Sequence, residues 1–471
     1  MALDQTKSGQ IIPDERGADD SIYLEDGAVR PELLEALEVA IRSEGQDDVS
    51  AIVQPLHESE LGDLIEDLKP ELRPRLVEIM GDEFDFASLT EVEDGIRKEM
   101  LGELDNDIVA EAVQELESDD AVYILEDMED ADREAVLSLL SLVDQSKIRR
   151  SLDYPEETAG RRMQTECIAV PPFWTVGQTI DYMRQAKHLP ESFTQIFVVD
   201  PSFKLIGAIA LDRILRAKRP VLIEQVMHET RHAIPALMDQ EEAAMVFEQY
   251  DLLSAAVVDE SEKLVGVLTI DDVVDVIQQE AEEDIKRLVG IGDEELSDDV
   301  FRTARSRFVW LVVNLATSVL ASIVIGLFEA TISEMVALAV LMPIVASMGG
   351  NAGTQTMTVA VRALATRDLD SGNKRRILMR ELAVGLLNGL AFAVLMAIVA
   401  VVWFSSPGLG LIIAIAMVFN MVCAAFAGMI VPIVLDKAGA DPAIASSVFV
   451  TTVTDIVGFF AFLGLAAVYL V

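Results

Sequence analysis

The chain of 471 residues is too long for one hydrophobic core, and its formal charge is −44, so several domains are expected. Eight acids and eight bases after Ser306 cancel, which leaves 72 acids against 28 bases in residues 1–305. So acidic a half repels phosphate backbones, which argues against a nucleic-acid partner, and it suits cations.

Cys167 and Cys423 fall in different halves, so no disulfide and a reducing compartment are expected. Four histidines without a Cys/His cluster give no zinc-type site. The first twenty residues are polar and acidic, so no cleavable signal is expected. No nucleophile–base pair is evident, and an enzyme is not expected.

Residues 30–150 alternate apolar and charged positions at helical spacing with little strand signal. Glu66-Asp67-Leu68 with Arg73 echoes Glu126-Asp127-Met128 with Arg133 at an offset of 60, and Leu64-Ile65 echoes Ile124-Leu125. The pattern predicts stacked helical hairpins.

Residues 160–280 alternate short β-branched strands with helices and repeat once. Met163…Ala169-Val170-Pro171 matches Met227…Ala233-Ile234-Pro235 at offset 64. Val198-Val199-Asp200…Leu205-Ile206-Gly207 matches Val257-Val258-Asp259…Leu264-Val265-Gly266 at offset 59, so the first copy has five extra residues near Lys187–Thr194. Two βαββα copies form a pseudo-symmetric pair. A connecting helix from Glu280 to Arg305 then leads into the apolar half. There Glu280, Glu283 and Asp284 share one face at i, i+3 and i+4.

Five apolar stretches follow, Phe308–Phe328, Met335–Ala365, Leu382–Phe404, Leu409–Leu435 and Ala443–Val471. Each is long enough to span a bilayer as a helix. Arg302, Arg305 and Arg307 precede the first, Arg362 and Arg367 close the second, Lys374 to Arg380 precede the third, and Lys437 lies before the fifth. The positive-inside rule therefore places the amino-terminal half in the cytoplasm and the carboxyl terminus outside.

Residues 347–356, Ser-Met-Gly-Gly-Asn-Ala-Gly-Thr-Gln-Thr, interrupt the second span. Their glycines suit either small-residue helix packing or, with Asn351, Thr354 and Gln355 as oxygen donors, backbone facing a pore. Asp455, within Thr451-Thr452-Val453-Thr454-Asp455, is the acid in mid-span and faces a cavity or a partner by default. Freed carbonyls and hydroxyls there would suit an ion that keeps its water.

The tandem repeat resembles a pair of CBS domains. Tyr154-Pro155-Glu156-Glu157-Thr158-Ala159-Gly160, Gly349-Gly350-Asn351-Ala352-Gly353-Thr354-Gln355, Arg362-Ala363-Leu364-Ala365-Thr366-Arg367 and the Asp455 segment together resemble the MgtE family of magnesium channels and transporters. The implied architecture is a multidomain membrane protein. It has an all-α helical-repeat N domain at 1–150, an α/β tandem CBS pair at 151–278, a connecting helix at 279–306 and a five-helix transmembrane pore domain at 307–471.

The resemblance implies a homodimer in the inner cell membrane, with a Mg²⁺ pore on its two-fold axis that closes when cytosolic Mg²⁺ bridges the acidic domains. The metal-binding positions it implies are Asp455 in the pore, and Asp119, Asp239, Glu241, Asp251, Asp272, Asp275, Glu280, Glu283, Asp284 and Asp441 on the cytosolic side. Tyr123 stands where the family tends to place an acid one turn after Asp119. Nucleotide-binding CBS sites carry Gly-h-h-Thr-x-x-Asp, which Gly266 to Asp272 fits, so Thr269 and Asp272 are the expected ATP contacts. The first copy has Ala210 and Arg213 there, leaving one half-site. A coupled secondary transporter and a cation sensor with a passive anchor are the competing readings.

Overall fold

The computed structural model describes residues 22–24, 27–186, 189–190, 192–229, 232–288, 291, 300–365, 369, 372–439 and 441–470. It divides into two compact units, Met1–Ile277 and Gln278–Val471. Residues 289–290 and 292–299 of the expected connecting helix, residues Lys187, His188 and Glu191 of the expected insertion, and Arg367 lie outside the described residues.

The first unit opens with short amphipathic helices: α1 (Pro31–Arg42), α2 (Gln46–Val53), α3 (Glu58–Asp67), α4 (Arg73–Met80), α5 (Asp94–Glu103), α6 (Asn106–Glu115), α7 (Ser118–Glu126), α8 (Asp130–Leu139) and α9 (Leu142–Leu152). Their starts are set locally. The His57 amide donates to Glu60 at 3.0 Å ahead of α3, and Ser141 Oγ accepts from the Asp144 amide at 3.2 Å ahead of α9. Apolar faces meet in one core that includes Leu37, Ile41, Leu64, Ile65, Leu76, Ile124 and Leu125.

The echo at offset 60 has a structural cause. Leu64-Ile65 and Ile124-Leu125 are the buried positions of α3 and α7, and the following arginine in each copy ties off the helix end. Arg73 donates to the Ile65 and Glu66 carbonyls at 3.0 and 2.8 Å, and Arg133 donates to the Met128 carbonyl at 3.5 Å.

After α10 (Ala159–Arg162) come two copies of one sheet. The first holds β1 (Ala169–Val170), α11 (Val176–Gln185), β2 (Gln195–Val199), β3 (Leu205–Ala210) and α12 (Leu211–Arg216). α13 (Ile223–Val226) leads into β4 (Ile234–Pro235), α14 (Gln240–Tyr250), β5 (Ser254–Val258), β6 (Leu264–Thr269) and α15 (Ile270–Leu288). In both copies a parallel pair adjoins an antiparallel pair, with a register shift at Val198/Val199 and again at Val257/Val258.

The turns match too. Asp200 Oδ1 accepts from the Ser202 and Lys204 amides, and Asp259 Oδ1 from the Ser261 and Lys263 amides. Phe203 and Glu262 then take left-handed φ of 69° and 60°. The glycines of the repeated motif are required by close approach. A Cβ on Gly266 would stand 2.5 Å from the Gln164 carbonyl oxygen, and one on Gly207 would stand 2.8 Å from that of His228.

The second unit begins in the last turns of α15 and holds α16 (Val300–Gly326), α17 (Glu329–Glu334), α18 (Ala337–Ala365), α19 (Lys374–Phe404), α20 (Pro407–Lys437) and α21 (Pro442–Tyr469). Five of these helices are long and apolar enough to cross a membrane: Thr303–Gly326, Ala337–Leu364, Lys374–Phe404, Pro407–Lys437 and Ser447–Tyr469. They fall on the five stretches expected from hydropathy.

α20 is the central helix, packed against α18, α19 and α21, and small residues set the spacing. A Cβ on Gly385 of α19 would lie 2.8 Å from Ala425, and one on Gly428 would lie 2.6 Å from the Gly353 carbonyl. One expectation is corrected here. α18 runs as a helix straight through residues 347–356, so these residues are not a break in the chain path. Gly349 packs on Asn420, and Gly353 on Val450 and Thr454.

Candidate cation pathway and regulatory acids

α18 carries a polar stripe that is exposed among the described residues. Ser347, Asn351, Thr354, Thr358 and Arg362 are exposed at spacings of 4, 3, 4 and 4, with Gln355 beside them. Acyl chains offer these groups no hydrogen bonds, so this face belongs to a water-filled path or to a protein partner.

Asp455 stands half-buried on α21 next to that helix, with no ion pair or hydrogen bond among the described residues. One turn before it, Thr451 lies 3.8 Å from where a Cβ on Gly350 would be. The expected unwinding around Asp455 is absent, since α21 is helical from Pro442 to Tyr469. The Thr451, Thr452 and Thr454 hydroxyls donate to carbonyls of their own helix at 2.8, 2.6 and 2.9 Å. Asp455 therefore offers the free charge, and the threonines offer only lone pairs.

Two polar residues of the membrane unit escaped the sequence reading. Asn420 of α20 is fully buried. Its Nδ2 donates to the Val345 carbonyl at 2.9 Å, while Oδ1 has no partner. Glu381 is 7% exposed at the start of α19, 3.9 Å from Arg380. A search for every polar residue inside an apolar run would have found both.

In the first unit the acids are sorted by burial. Asp119 is 8% exposed and its Oδ1 has no hydrogen-bond partner. Burial, and then the neighbouring Asp272, hold its carboxyl well above the usual range. Burial and Asp272 also push Asp120 up to about 7, and burial pushes Asp272 to about 7 against the lowering effect of Thr269. Asp275 is raised by burial and by Asp271.

The segment holding these acids is fastened by direct contacts. The Glu117 carboxylate accepts from Gln164 Nε2, Ser118 Oγ accepts from the Thr165 amide at 2.7 Å, and Glu126 pairs with Arg161 at 3.0 Å. Tyr123, one turn after Asp119, lies between the guanidinium groups of Arg97 at 4.3 Å and Arg162 at 5.2 Å.

Other expected ligands serve the fold. Asp239 caps α14 by accepting from the Glu241 and Glu242 amides at 3.0 and 3.3 Å, which leaves Glu241 in the first turn. Asp251 ends that helix in the left-handed conformation, φ 51°. Asp441 has both oxygens engaged, Oδ1 with the Ala443 amide at 2.7 Å and Oδ2 with Arg287 at 2.6 Å, and Glu283 also pairs with Arg287. Asp284 is raised by burial and by Asp441. Glu280 lies one turn before it on α15.

Among the described residues no group of three or more His, Cys, Asp or Glu side chains is arranged to hold a metal ion. Asp272 accepts from the Thr269 hydroxyl, and Thr269 and Asp271 line a neighbouring cleft. That cleft has a volume of about 230 Å³ and is walled by Cys167, Ile168, Phe193 and Phe197 among others.

The profile described as a divalent cation transporter matches residues 342–465, that of the MgtE intracellular N domain matches 56–157, and the CBS profile matches 159–219 and 223–279. The magnesium transporter MgtE of Bacillus subtilis (strain 168) is 30% identical over 334 residues, 71% of this chain and 74% of that protein. This chain belongs to the MgtE family. The MgtE of Thermus thermophilus is 33% identical over 338 residues, 70% of this chain and 74% of its own. A crystal structure of the soluble part of a magnesium transporter is 26% identical, covering 53% of this chain and 98% of its own at a TM-score of 0.47. The helical N domain, CBS pair and five candidate spans thus occur here in an MgtE chain, in a family of transporters rather than of enzymes.

Proposed function

We propose that this MgtE chain is a Mg²⁺ channel of the inner cell membrane, open at low cytosolic Mg²⁺ and closed when Mg²⁺ binds its acidic cytoplasmic half. The observation that carries the reading is Asp455, a half-buried carboxyl without a partner among the described residues, beside the exposed polar stripe of α18. A second copy related by a two-fold axis brings two such carboxylates and two such stripes to one path, and rings of carboxylates select cations. Mg²⁺ sheds water reluctantly and prefers one or two carboxylates acting through its hydration shell. This fits one Asp455 per copy and a stripe of amides and hydroxyls. The bases at the ends of the spans support a cytoplasmic position for residues 1–305 and a carboxyl terminus on the other side.

The closing ion would draw on the neighbouring buried acids Asp119 and Asp272, with Asp120 beside them, although these do not form a preassembled three-ligand site. Buried carboxyls held above their ordinary range are groups that a divalent ion relieves as a proton does, and the unmatched Asp119 Oδ1 is an acceptor in want of a donor or an ion. Asp275, Glu280, Glu283 and Asp284 extend the acidic field, whereas Asp239, Glu241, Asp251 and Asp441 act first as caps and anchors. ATP is a candidate for the cleft at Thr269. Mg²⁺ flux and single-channel current in liposomes test the channel reading: discrete unitary currents support it, and flux without them indicates coupled transport. Calorimetry with ATP tests the cleft, and no heat at millimolar nucleotide removes that ligand.

A further inference from the structure

The last turn of α15 is joined to the first turn of α21 through one guanidinium. Arg287 pairs with Glu283 on its own helix and, through Nη1, with Asp441 Oδ2 at 2.6 Å. Asp441 Oδ1 at the same time accepts from the Ala443 amide at 2.7 Å, and Pro442 opens α21 behind it. Arg287 therefore holds a residue that is itself built into the helix start. The pair is partly shielded, with side chains 29% and 26% exposed, where an ion pair is screened less than at a free surface. Leu288 adds an apolar contact to the buried cluster of Met357 and Val361 on α18 and Ala443 and Val450 on α21. Both helices that border the cation path are thus touched at one end by residues 287 and 288.

The geometry points to Arg287 as a positioning residue of the gate: a cation carried by the chain, which joins the connecting helix to the pore helix so that this joint needs no Mg²⁺. The inference rests on the gating reading above and divides it. The sensor lies at Asp119, Asp120 and Asp272, and the transmission lies at Glu283, Arg287 and Asp441. Along α21 the distance from Asp441 to Asp455 is fourteen residues, about 21 Å at 1.5 Å per residue. A helix of that length moves as a rod, so a displacement of its capped start is passed to the carboxylate. Arginine suits the task better than lysine because its planar fork reaches two carboxylates at once and never loses its charge.

The test uses the full chain in liposomes, with Mg²⁺ varied on the cytoplasmic side. Arg287→Gln is expected to raise the Mg²⁺ concentration that closes the channel by roughly tenfold, a moderate coupling, with unitary current unchanged. Mg²⁺-induced protease resistance within residues 1–277 should also stay as in the wild type, since the sensor is intact. Arg287→Lys keeps a cation between Glu283 and Asp441 and should raise the threshold less than Arg287→Gln does. A wild-type threshold in Arg287→Gln, or a threshold in Arg287→Lys no closer to the wild type than that of Arg287→Gln, overturns the proposal. Amide exchange over residues 278–288 reads the joint without reference to gating, and it should speed up in Arg287→Gln. Unchanged exchange overturns the joint itself, whereas a wild-type chain that stays open at every Mg²⁺ concentration overturns the gating reading and the part Arg287 plays in it.

Discussion

Asn420 Nδ2 reaches the carbonyl of Val345 at 2.9 Å across two transmembrane helices, and glycine on either side makes room for it. A Cβ on Gly349 would fall 2.2 Å from that nitrogen, and one on Gly458 would fall 2.7 Å from it. Asn420→Ala should therefore cost about 1–2 kcal/mol, the scale of an interhelical hydrogen bond in a membrane. Gly349→Ala should cost more in the wild type than in Asn420→Ala, by about 1 kcal/mol or more. Thermal unfolding in detergent measures both, and additive effects would show that the amide and the glycine are not coupled.

Removing the charge of Asp455 separates permeation from packing. Asp455→Asn keeps size and polarity, so unfolding temperature and assembly should match the wild type. Mg²⁺ flux should fall about tenfold or more, equivalent to about 1.4 kcal/mol or more in the barrier, while Asp455→Glu retains part of it. Liposomes holding matched amounts of each variant give the comparison. Wild-type flux in Asp455→Asn would move the permeation site to the α18 stripe.

The acids around Asp119 predict a pH dependence with a definite sign. An unfolded carboxyl releases its proton near pH 4, whereas Asp120 and Asp272 hold theirs to about 7. Between those values the native state binds more protons than the unfolded state, so stability falls as pH rises. The contribution is fully present below pH 4 and lost as pH passes about 7. Glu117, Asp271 and Glu58 act on Asp120 in the same direction. Amide protection factors within residues 1–277 should fall between pH 5 and 8 without Mg²⁺, and added Mg²⁺ should raise them more at pH 8 than at pH 5.

Arg97 is 1% exposed and holds Asp94, Asp127 and the Val92 carbonyl. Its removal leaves the largely shielded Asp127 and the Val92 carbonyl without it, and Lys98 at 3.2 Å is the cation that remains on Asp127 among the described residues. Arg97→Ala should cost about 3–5 kcal/mol, and Tyr123→Leu, which loses the ring's contacts with the Arg97 and Arg162 guanidiniums, about 1 kcal/mol. Urea unfolding followed by tryptic cleavage at residues 30–150 orders the two.

Hydropathy located the five candidate membrane helices of the described residues because a bilayer demands length and apolarity from each span separately. The CBS pair was legible as a repeat because Asp200 and Asp259 anchor the same turn, and Gly207 and Gly266 meet the same backbone approach. What sequence could not supply was direction. Gly349 and Gly353 suit a pore or a packing seam equally well until Asn420 and Val450 are seen against them. Asp239 and Asp441 carry the charge of a ligand but cap helices, a role fixed by backbone amides that any sequence possesses. Arg287 drew no notice because its importance comes from Asp441, 154 positions away along the chain.

The glycine contacts of α20 set limits on how the membrane unit can deform. Gly385 and Gly389 bring α19 against Met421, Ala425 and Val418, and Gly428 brings α18 to the same helix from another side. Backbones this close leave no side-chain layer to act as a lubricant, and separating them would open voids that nothing nearby can fill. Movements that keep α18, α19 and α20 in these contacts are therefore the less costly ones, and a widening of the proposed path is expected to come from shear at the edges of this group. α21 meets it at Val450 against Gly353 and Asn420 against Gly458, and that seam is where such shear is expected.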